Sequence, residues 1–515
     1  MTGIRAAMAA LMGVSFATAA TAQDISLTSH DGKVEVVGTL LGFDGEFYRL
    51  DTQFGELTID GSGVTCDGPA CPNLTDFVAE IRFSGSSVMA DTLFPALIQG
   101  FAAQEALTAE YKTDVAARRV FELYQANRKA PLARLIFNAS DTRRGFSDLA
   151  DDTADIVLAQ REIRPAEIDL AKEAGLGDLT RPRRSRVVAL DAMIPVVSPD
   201  NPVRQISPSD LTAVFSGDVT NWSQLGGPDA PIQLYLPPEG SGVSQAVEDR
   251  LLGPADAVLS KTITRSSDQI REVSRDPFAI GIASHAEIGD ARALPLTGGC
   301  GHALTATRQS VKTEDYPLTS PMFLYLPQRR LPRVARQFLA YALSDPAQTV
   351  IRQAGFVDQL PETIRVGLQG DRLANAIVNG GSEVGLDELQ RMVATLRPMT
   401  RLSLSFRFEP GSSRPDAQSR SNILQLAQAL ENGTLDAGKI LFVGFSDGEG
   451  AAATNTRIAL RRAQTVRNAV LAAVETAIPD TIDISADGFG EAMPMACDDT
   501  EWGRKVNRRV EVWVQ

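Results

Sequence analysis

RVVALDAMIPVVSPDNPVRQISPSDLTAVFSGDVTNWSQLGG, residues 186–227, decides the fold of the longest part of this chain. It opens on an apolar β run that ends at Pro199. It stands among segments that alternate between strand-like and helix-like patterns. Upstream, IRFSGSS (81–87) runs into the helical pattern MADTLFPALIQGFAAQEA (89–106). LARLIFNASD (132–141) and TADIVLAQRE (153–162) read as strands with polar ends. Downstream come IQLYLPPEGSG (232–242), FAIGIASHAEI (278–288), MFLYLP (322–327) and the helical RVARQFLAYALSDPAQTVIRQAGF (333–356). Alternation of this kind over residues 79–365 predicts an α/β region, long enough for two lobes around a cleft.

On either side the pattern changes. Residues 23–78 alternate apolar and polar side chains, as in VEVVGTLLGF (34–43) and EFYRLDTQFGELTIDG (46–61), with Asp-Gly and Gly-x-Gly turns. This predicts a small antiparallel β module. Residues 366–400 hold the Gly-rich IVNGGSEVG (377–385) and one helical stretch, LDELQRMVATL (386–396), stopped by Pro398; they read as a linker with a short helix. From 401 to 515 the order β, α, β, α, β, β predicts a compact α+β domain, with strands at LSLSFRFEP (402–410), ILFVGFSD (440–447), IDISADGFG (482–490) and RRVEVWVQ (508–515).

The composition agrees with a multidomain globular chain. At 515 residues, 43% hydrophobic and 22% charged, it is too long for one core and too apolar for disorder. A formal charge of −14 opposes nucleic acid and other polyanions, while leaving room for a local basic pocket. His30, His285 and His302 are the only histidines, far apart and without ligand spacing, so no metal or cofactor is expected. Residues 1–22 carry Arg5, an uncharged apolar run and a closing Ala20-Thr21-Ala22, which predicts a secretory signal peptide cleaved before Gln23. No segment has the length and hydropathy of a membrane span. In an oxidising compartment, Cys66 and Cys71 around a Gly/Pro turn are expected to form a local disulfide; Cys300 and Cys497 could pair or stay free.

Two places in the α/β region suit an oxyanion. Gly85-Ser86-Ser87 and Gly240-Ser241-Gly242 each follow a strand and precede a helix, where free backbone N–H groups and the positive dipole end meet. Ordinary helix capping is the commoner use of such pairs. Arg161 and Arg143–Arg144 are the candidate charges.

Residues 197–227, followed by EGSG, DPFAIGIAS, EDYPLTSPMFLYLP and ALSDPAQTVIRQAGF, resemble the periplasmic phosphate-binding proteins of ABC transporters. The resemblance runs in order over residues 80–357. It implies the two-lobed type II periplasmic-binding-protein fold, closing on an anion, with contacts at Ser86, Ser87, Ser140, Gly240, Ser241 and Gly242. Two departures stand out. Pro237 and Val243 flank the GSG loop where the family commonly has Arg and Thr, and Gln160 or Arg161 replaces the family's Asp. An Arg there would favour a fully ionised anion.

GFSDGEGAAATNTRIALRRAQTVRNAV (444–470) and DGFGEAMPMACDDTEWGRKVNRRVEVWV (487–514) are similar to the OmpA-like peptidoglycan-binding domain. The resemblance implies that Asp447 and Arg462 hold the free end of diaminopimelate, that Asn455 is the motif Asn, and that Asn507 with Arg508–Arg509 braces the loop. Spacing alone would favour a structural Asp–Arg salt bridge. Phe445 and Ser446 stand where the family often has His and Thr. OmpA's own β-barrel is absent from the pattern.

Together these readings predict a non-enzymatic periplasmic protein, associated with peptidoglycan near the outer membrane. It would hold a small oxyanion, phosphate first, in its cleft. A structural envelope linker with an empty cleft, bridging to another envelope protein, is the alternative. A phosphatase using Ser87 or Ser241 lacks a base in either motif.

Overall fold

The computed structural model describes residues 24–74, 77–115, 118–126, 128–236, 244, 247, 261–262, 266–298, 300, 302–381, 383–409, 411–435, 437–476 and 482–515. The chain divides into two compact units, one ending at Ala79 and one spanning Glu80–Gln515. The signal-peptide region and the GSG loop at 240–242 lie outside the described residues.

In the first unit, period-two alternation produces a five-stranded antiparallel sheet. Its strands are Asp24–Ser29, Glu35–Phe43, Phe47–Thr52, Gly55–Asp60 and Val64–Asp67. One face buries Ile25, Leu27, Tyr48 and Leu50. So small a core gains from a covalent closure. Cys66 and Cys71 are disulfide-bonded, with Cα atoms 5.9 Å apart.

The second unit is organised by one long strand, Ser185–Val197. From Ser185 to Ala192 it pairs antiparallel with Thr319–Tyr325. From Met193 to Val197 it pairs instead with Ala279–Ser284. The strand thus leaves one lobe and enters the other where its partner changes, at Ala192–Met193. Asp191 sits buried beside this change, accepting from Ser284 Oγ at 2.7 Å and from the backbone N–H of His285 at 2.8 Å. The first lobe packs Phe83, Phe94, Phe101, Phe137 and Phe338 together, with Phe83 stacked on Phe137 at 4.7 Å. Pro95 near the start of its first long helix follows a π-helical turn, Met89–Leu93; the wider turn accommodates a residue with no N–H.

Residues 366–400 differ from the expected linker. They form two helices, Gly370–Asn379 and Leu386–Leu396. Met392, Leu396 and Met399 are buried with Phe445, Phe489 and Trp513 of the following domain. The glycine pair is not simply a flexible joint: a Cβ on Gly380 would stand 2.6 Å from the Ala376 carbonyl oxygen, so this residue serves close approach at the helix end. Strand Thr363–Arg365 also joins the C-terminal sheet by pairing with Thr400–Phe406.

That sheet continues through Arg509–Val514, Lys439–Phe445 and Asp483–Gly488. Helix Ala452–Ala473 lies close against it, because Gly444 and Gly488 offer no side chain at the crossing. The domain docks on the long strand: Val187 N–H donates to Ser421 Oγ at 3.4 Å. Ala417, Met495, Ala496 and Val506 share one core with Leu190 and Phe323. Cys300 and Cys497, left open by the sequence, form a disulfide across this junction. A buried ionic cluster completes it, with Arg401 forked onto Asp315 at 2.6 and 3.0 Å.

Candidate functional site

The first-lobe half of the cleft is assembled from three strand ends. Gly85 has φ of +129°, and a Cβ there would meet the Leu158 carbonyl oxygen at 2.1 Å, so only glycine fits between these strands. That contact brings Ser86 beside Gln160. Ser86 is fully buried and its Oγ donates to Gln160 Oε1 at 2.9 Å, while accepting from the Met89 N–H at 3.3 Å. Ser87, half-buried, opens the helical turn. Ser140 ends strand Ala133–Ser140 and is also half-buried. Asp141 then caps helix Thr142–Ala150 by accepting from the Arg144 N–H at 2.9 Å. Gln160 N–H donates to Thr142 Oγ1 at 3.2 Å, and Ser320 Oγ donates to the Gln160 carbonyl at 2.9 Å.

Arg161 takes a different place from the one expected. Its guanidinium is buried and forked onto Glu167, with Nη1 at 2.9 Å and Nη2 at 2.7 Å from the carboxylate oxygens. Its charge is neutralised inside the first lobe, and Gln160 is the residue of this turn that faces Ser86. Arg143 and Arg144 are exposed, and Arg144 pairs with Asp148 at 2.6 Å. Gly240, Ser241 and Gly242, with the departures Pro237 and Val243, lie outside the described residues, so the second-lobe half is not described.

The C-terminal site gathers around the end of strand Lys439–Phe445. Asp447 is largely buried and accepts from Arg508 Nη1 at 2.6 Å. Arg508 also holds Glu501 at 2.6 Å. Arg462 projects from helix Ala452–Ala473 with its guanidinium 5.1 Å over the Phe408 ring. No carboxylate among the described residues pairs with it, and its Nε has no hydrogen-bond partner. Burial pulls its pKa down, the neighbouring Arg508 adds to this, and Asp447 opposes both. The spacing-based expectation of an Asp447–Arg462 salt bridge is therefore replaced by Asp447–Arg508, with Arg462 held nearby.

Two asparagines fix the surrounding loops. Asn455 Nδ2 donates to Glu491 at 3.0 Å. Asn507, fully buried, accepts from the N–H groups of Met495 and Ala496 and donates to Ala496 O and Asp498. Asp498 in turn accepts from Gly448 N–H at 2.9 Å, so the loop after Asp447 rests on the loop held by Asn507. Arg509 points inward, with its guanidinium 4.2 Å over Phe445 and its Nε on Glu511 at 2.7 Å. The Phe445 ring thus has a cation–π partner in Arg509.

A profile of the PBP superfamily domain matches residues 80–346. The chain belongs to the PBP superfamily. A second profile, the OmpA family, matches residues 407–508. The chain is similar to Protein SphX of Synechococcus elongatus, 29% identical over 289 residues that cover 53% of this chain and 82% of the relative. It is similar to the phosphate-binding protein PstS of Borreliella burgdorferi, 21% identical, covering 44% of this chain and 79% of the relative. Among solved structures, an ABC-type phosphate transport receptor from Vibrio cholerae aligns with a TM-score of 0.42 and 18% identity, over 54% of this chain and 99% of that one. The protein thus joins a PstS/SphX-like binding-protein region to a C-terminal OmpA-family domain. Among the described residues no helix is long and apolar enough to cross a membrane.

Proposed function

We propose that this is a periplasmic binding protein tethered to peptidoglycan, holding a small oxyanion, phosphate first, between its lobes and gripping diaminopimelate through its C-terminal domain. The observation that carries the reading is Arg462. A half-buried guanidinium with no acidic partner among the described residues is costly unless a ligand carboxylate completes it. Asp447 stands close enough to perturb it and can take the ligand's ammonium. In the cleft, the anion would meet Ser86, Ser87, Ser140 and the backbone N–H groups at 86–88; the other expected contacts, Gly240, Ser241 and Gly242, lie outside the described residues. Gln160 in place of a carboxylate removes a repelling charge and suits a fully ionised anion. Holding the ligand needs no chemistry from the protein.

Sedimentation with purified sacculi tests the grip. Wild type should co-sediment and an Asp447→Ala/Arg462→Ala variant should stay in solution; equal retention of the two refutes it. Equilibrium dialysis with radiolabelled phosphate and sulfate tests the cleft. Saturable uptake that weakens in Ser86→Ala supports it, and no saturable uptake favours the alternative of a structural envelope linker.

A further inference from the structure

The unpaired state of Arg462 has a cause in the structure. Asp447 is near enough to act on Arg462, and in a partly buried site two such opposite charges attract strongly. A bond between them would satisfy both side chains and leave neither for a ligand. Arg508 stands in the way. Its Nη1 donates to Asp447 Oδ2 at 2.6 Å, while its Nη2 donates to Glu501 Oε1 at 2.6 Å. The two arms of one planar guanidinium are thus committed in different directions.

Arg508 is itself fixed from several sides. It follows helix Glu501–Asn507, and its backbone N–H donates to the Arg504 carbonyl at 3.0 Å. Its neighbours Asn507 and Arg509 are fully buried. Glu501 is held as well, because its Oε2 accepts from Arg504 Nη2 at 3.0 Å. What remains open is matched to a zwitterion. Among the described residues nothing donates to Asp447 Oδ1, and nothing accepts from Arg462. Asp447 and Glu501 balance Arg462 and Arg508, so a ligand end carrying one ammonium and one carboxylate leaves these four groups neutral.

We infer that Arg508, anchored by Glu501, is a positioning residue that holds Asp447 away from Arg462 and so keeps both charges open to the ligand's ammonium and carboxylate. This role rests on the peptidoglycan reading above and supplies what stops the site from neutralising itself.

Co-sedimentation of the full mature chain with graded amounts of purified sacculi, together with calorimetric melting, tests it. Arg508→Met should weaken binding about tenfold, as loss of one charged contact does, without lowering the melting temperature, because Asp447 then pairs with Arg462. Arg508→Lys, which keeps a cation on Asp447, should restore most of the binding. The sign of Asp447→Asn separates positioning from a merely structural role. Alone it should weaken binding; added to Arg508→Met it should strengthen binding, by releasing Arg462 for the ligand carboxylate. Wild-type binding in Arg508→Met, a loss that tracks a fall in melting temperature, or an Asp447→Asn effect of the same sign in both backgrounds overturns the proposal. If Arg508→Met does not fold, the exposed Glu501 decides. Glu501→Lys repels Arg508 from its anchor and should weaken binding with the fold intact; unchanged binding overturns the proposal. Equal retention of wild type and Asp447→Ala/Arg462→Ala would instead sink the peptidoglycan reading itself, and this role with it.

Discussion

Replacing Asp315 by Asn should destabilise the junction between the binding-protein region and the C-terminal domain more than replacing Arg401 by Met. The two side chains face each other, yet their surroundings are unequal. Asp315 receives the Arg401 fork at 2.6 and 3.0 Å and has Arg407 at 3.6 Å. Glu511 receives Arg509 at 2.7 Å and Arg401 at 3.4 Å, and pairs with Arg372. All six side chains are buried, so four guanidiniums share two carboxylates. Breaking a buried pair costs about 3–5 kcal/mol. Arg401→Met removes one cation from an over-positive cluster and leaves both carboxylates partnered, so it belongs near 3 kcal/mol. Asp315→Asn leaves four guanidiniums on Glu511 alone, so it belongs near or above 5 kcal/mol. Acid should expose the same asymmetry. Burial pushes both carboxyls up, but Arg401, Arg372 and their neighbours pull them further down, Glu511 to about 2. Their contribution is therefore complete above the unfolded values of 3.8 and 4.5, and is lost as pH falls through the depressed folded values. Urea unfolding between pH 7 and pH 3, with hydrogen exchange reading the strands at 400–406 and 509–514, measures both effects. An Arg401→Met penalty equal to or larger than that of Asp315→Asn would refute the charge count, as would an acid profile unchanged by Asp315→Asn.

Three further outcomes follow from local geometry. Cys300→Ser/Cys497→Ser opens a bridge between residues 197 apart, and calorimetry should show a loss of about 2–4 kcal/mol; an unchanged melting temperature would mean the docked interface alone restrains the unfolded chain. Gly444→Ala places a Cβ 2.0 Å from the Ala459 carbonyl oxygen and should cost about 1–3 kcal/mol or more, whereas Gly370→Ala, with a helical φ and open space, should add about 0.4–1 kcal/mol. Arg161→Ala leaves the Glu167 carboxylate buried without its fork and should cost about 3 kcal/mol, while changing phosphate uptake in dialysis less than Ser86→Ala does.

The parts of this fold that read clearly from sequence are those where one side of an element faces a core and the other faces water. The alternation of 34–43 and 46–61 became antiparallel strands, and the apolar run 186–199 became the strand that crosses between the lobes. Reading failed where a second surface covers the outer side. Arg401, Arg509 and Glu511 lie on strands, and Arg407 directly after one, where charges would ordinarily face solvent, and here they are buried because another region docks on them. Docking also hid the Cys300–Cys497 pair, since two residues that distant share no local pattern. Arg161 illustrates a different failure. Its place in AQRE suggested the cleft, but the capping carboxylate of the next helix, Glu167, reaches back and takes the guanidinium. An acidic residue three positions into a Pro-started helix, six residues after the arginine, was the available signal. Spacing alone put Asp447 and Arg462 together as a salt bridge, and only the resemblance gave them a shared ligand; the structure pairs Asp447 with Arg508 instead, a partner 61 residues away that no local pattern announces.

The position of the C-terminal domain bears directly on how the cleft can work. Its contacts fall on both sides of the partner change at Ala192–Met193. Ser421 meets Val187, and Arg420 meets Glu162, on the first-lobe side. Cys497 is bonded to Cys300, and Arg401 is forked onto Asp315, on the second-lobe side. A rotation of the lobes about that point would have to carry the docked domain with one lobe and strip it from the other. Swinging a two-state hinge from 1:99 to 99:1 requires a ligand to favour one state by about 5.5 kcal/mol. A single buried charged contact at this junction is worth about 3–5 kcal/mol when broken, so the docked domain weighs on the hinge as heavily as a ligand does. In a binding protein built this way, opening and closing of the cleft is not a property of the two lobes alone. If a ligand in the cleft favours one arrangement of the lobes, a change in the C-terminal domain's contacts with the hinge shifts that ligand's affinity by the same free energy with which the ligand shifts those contacts.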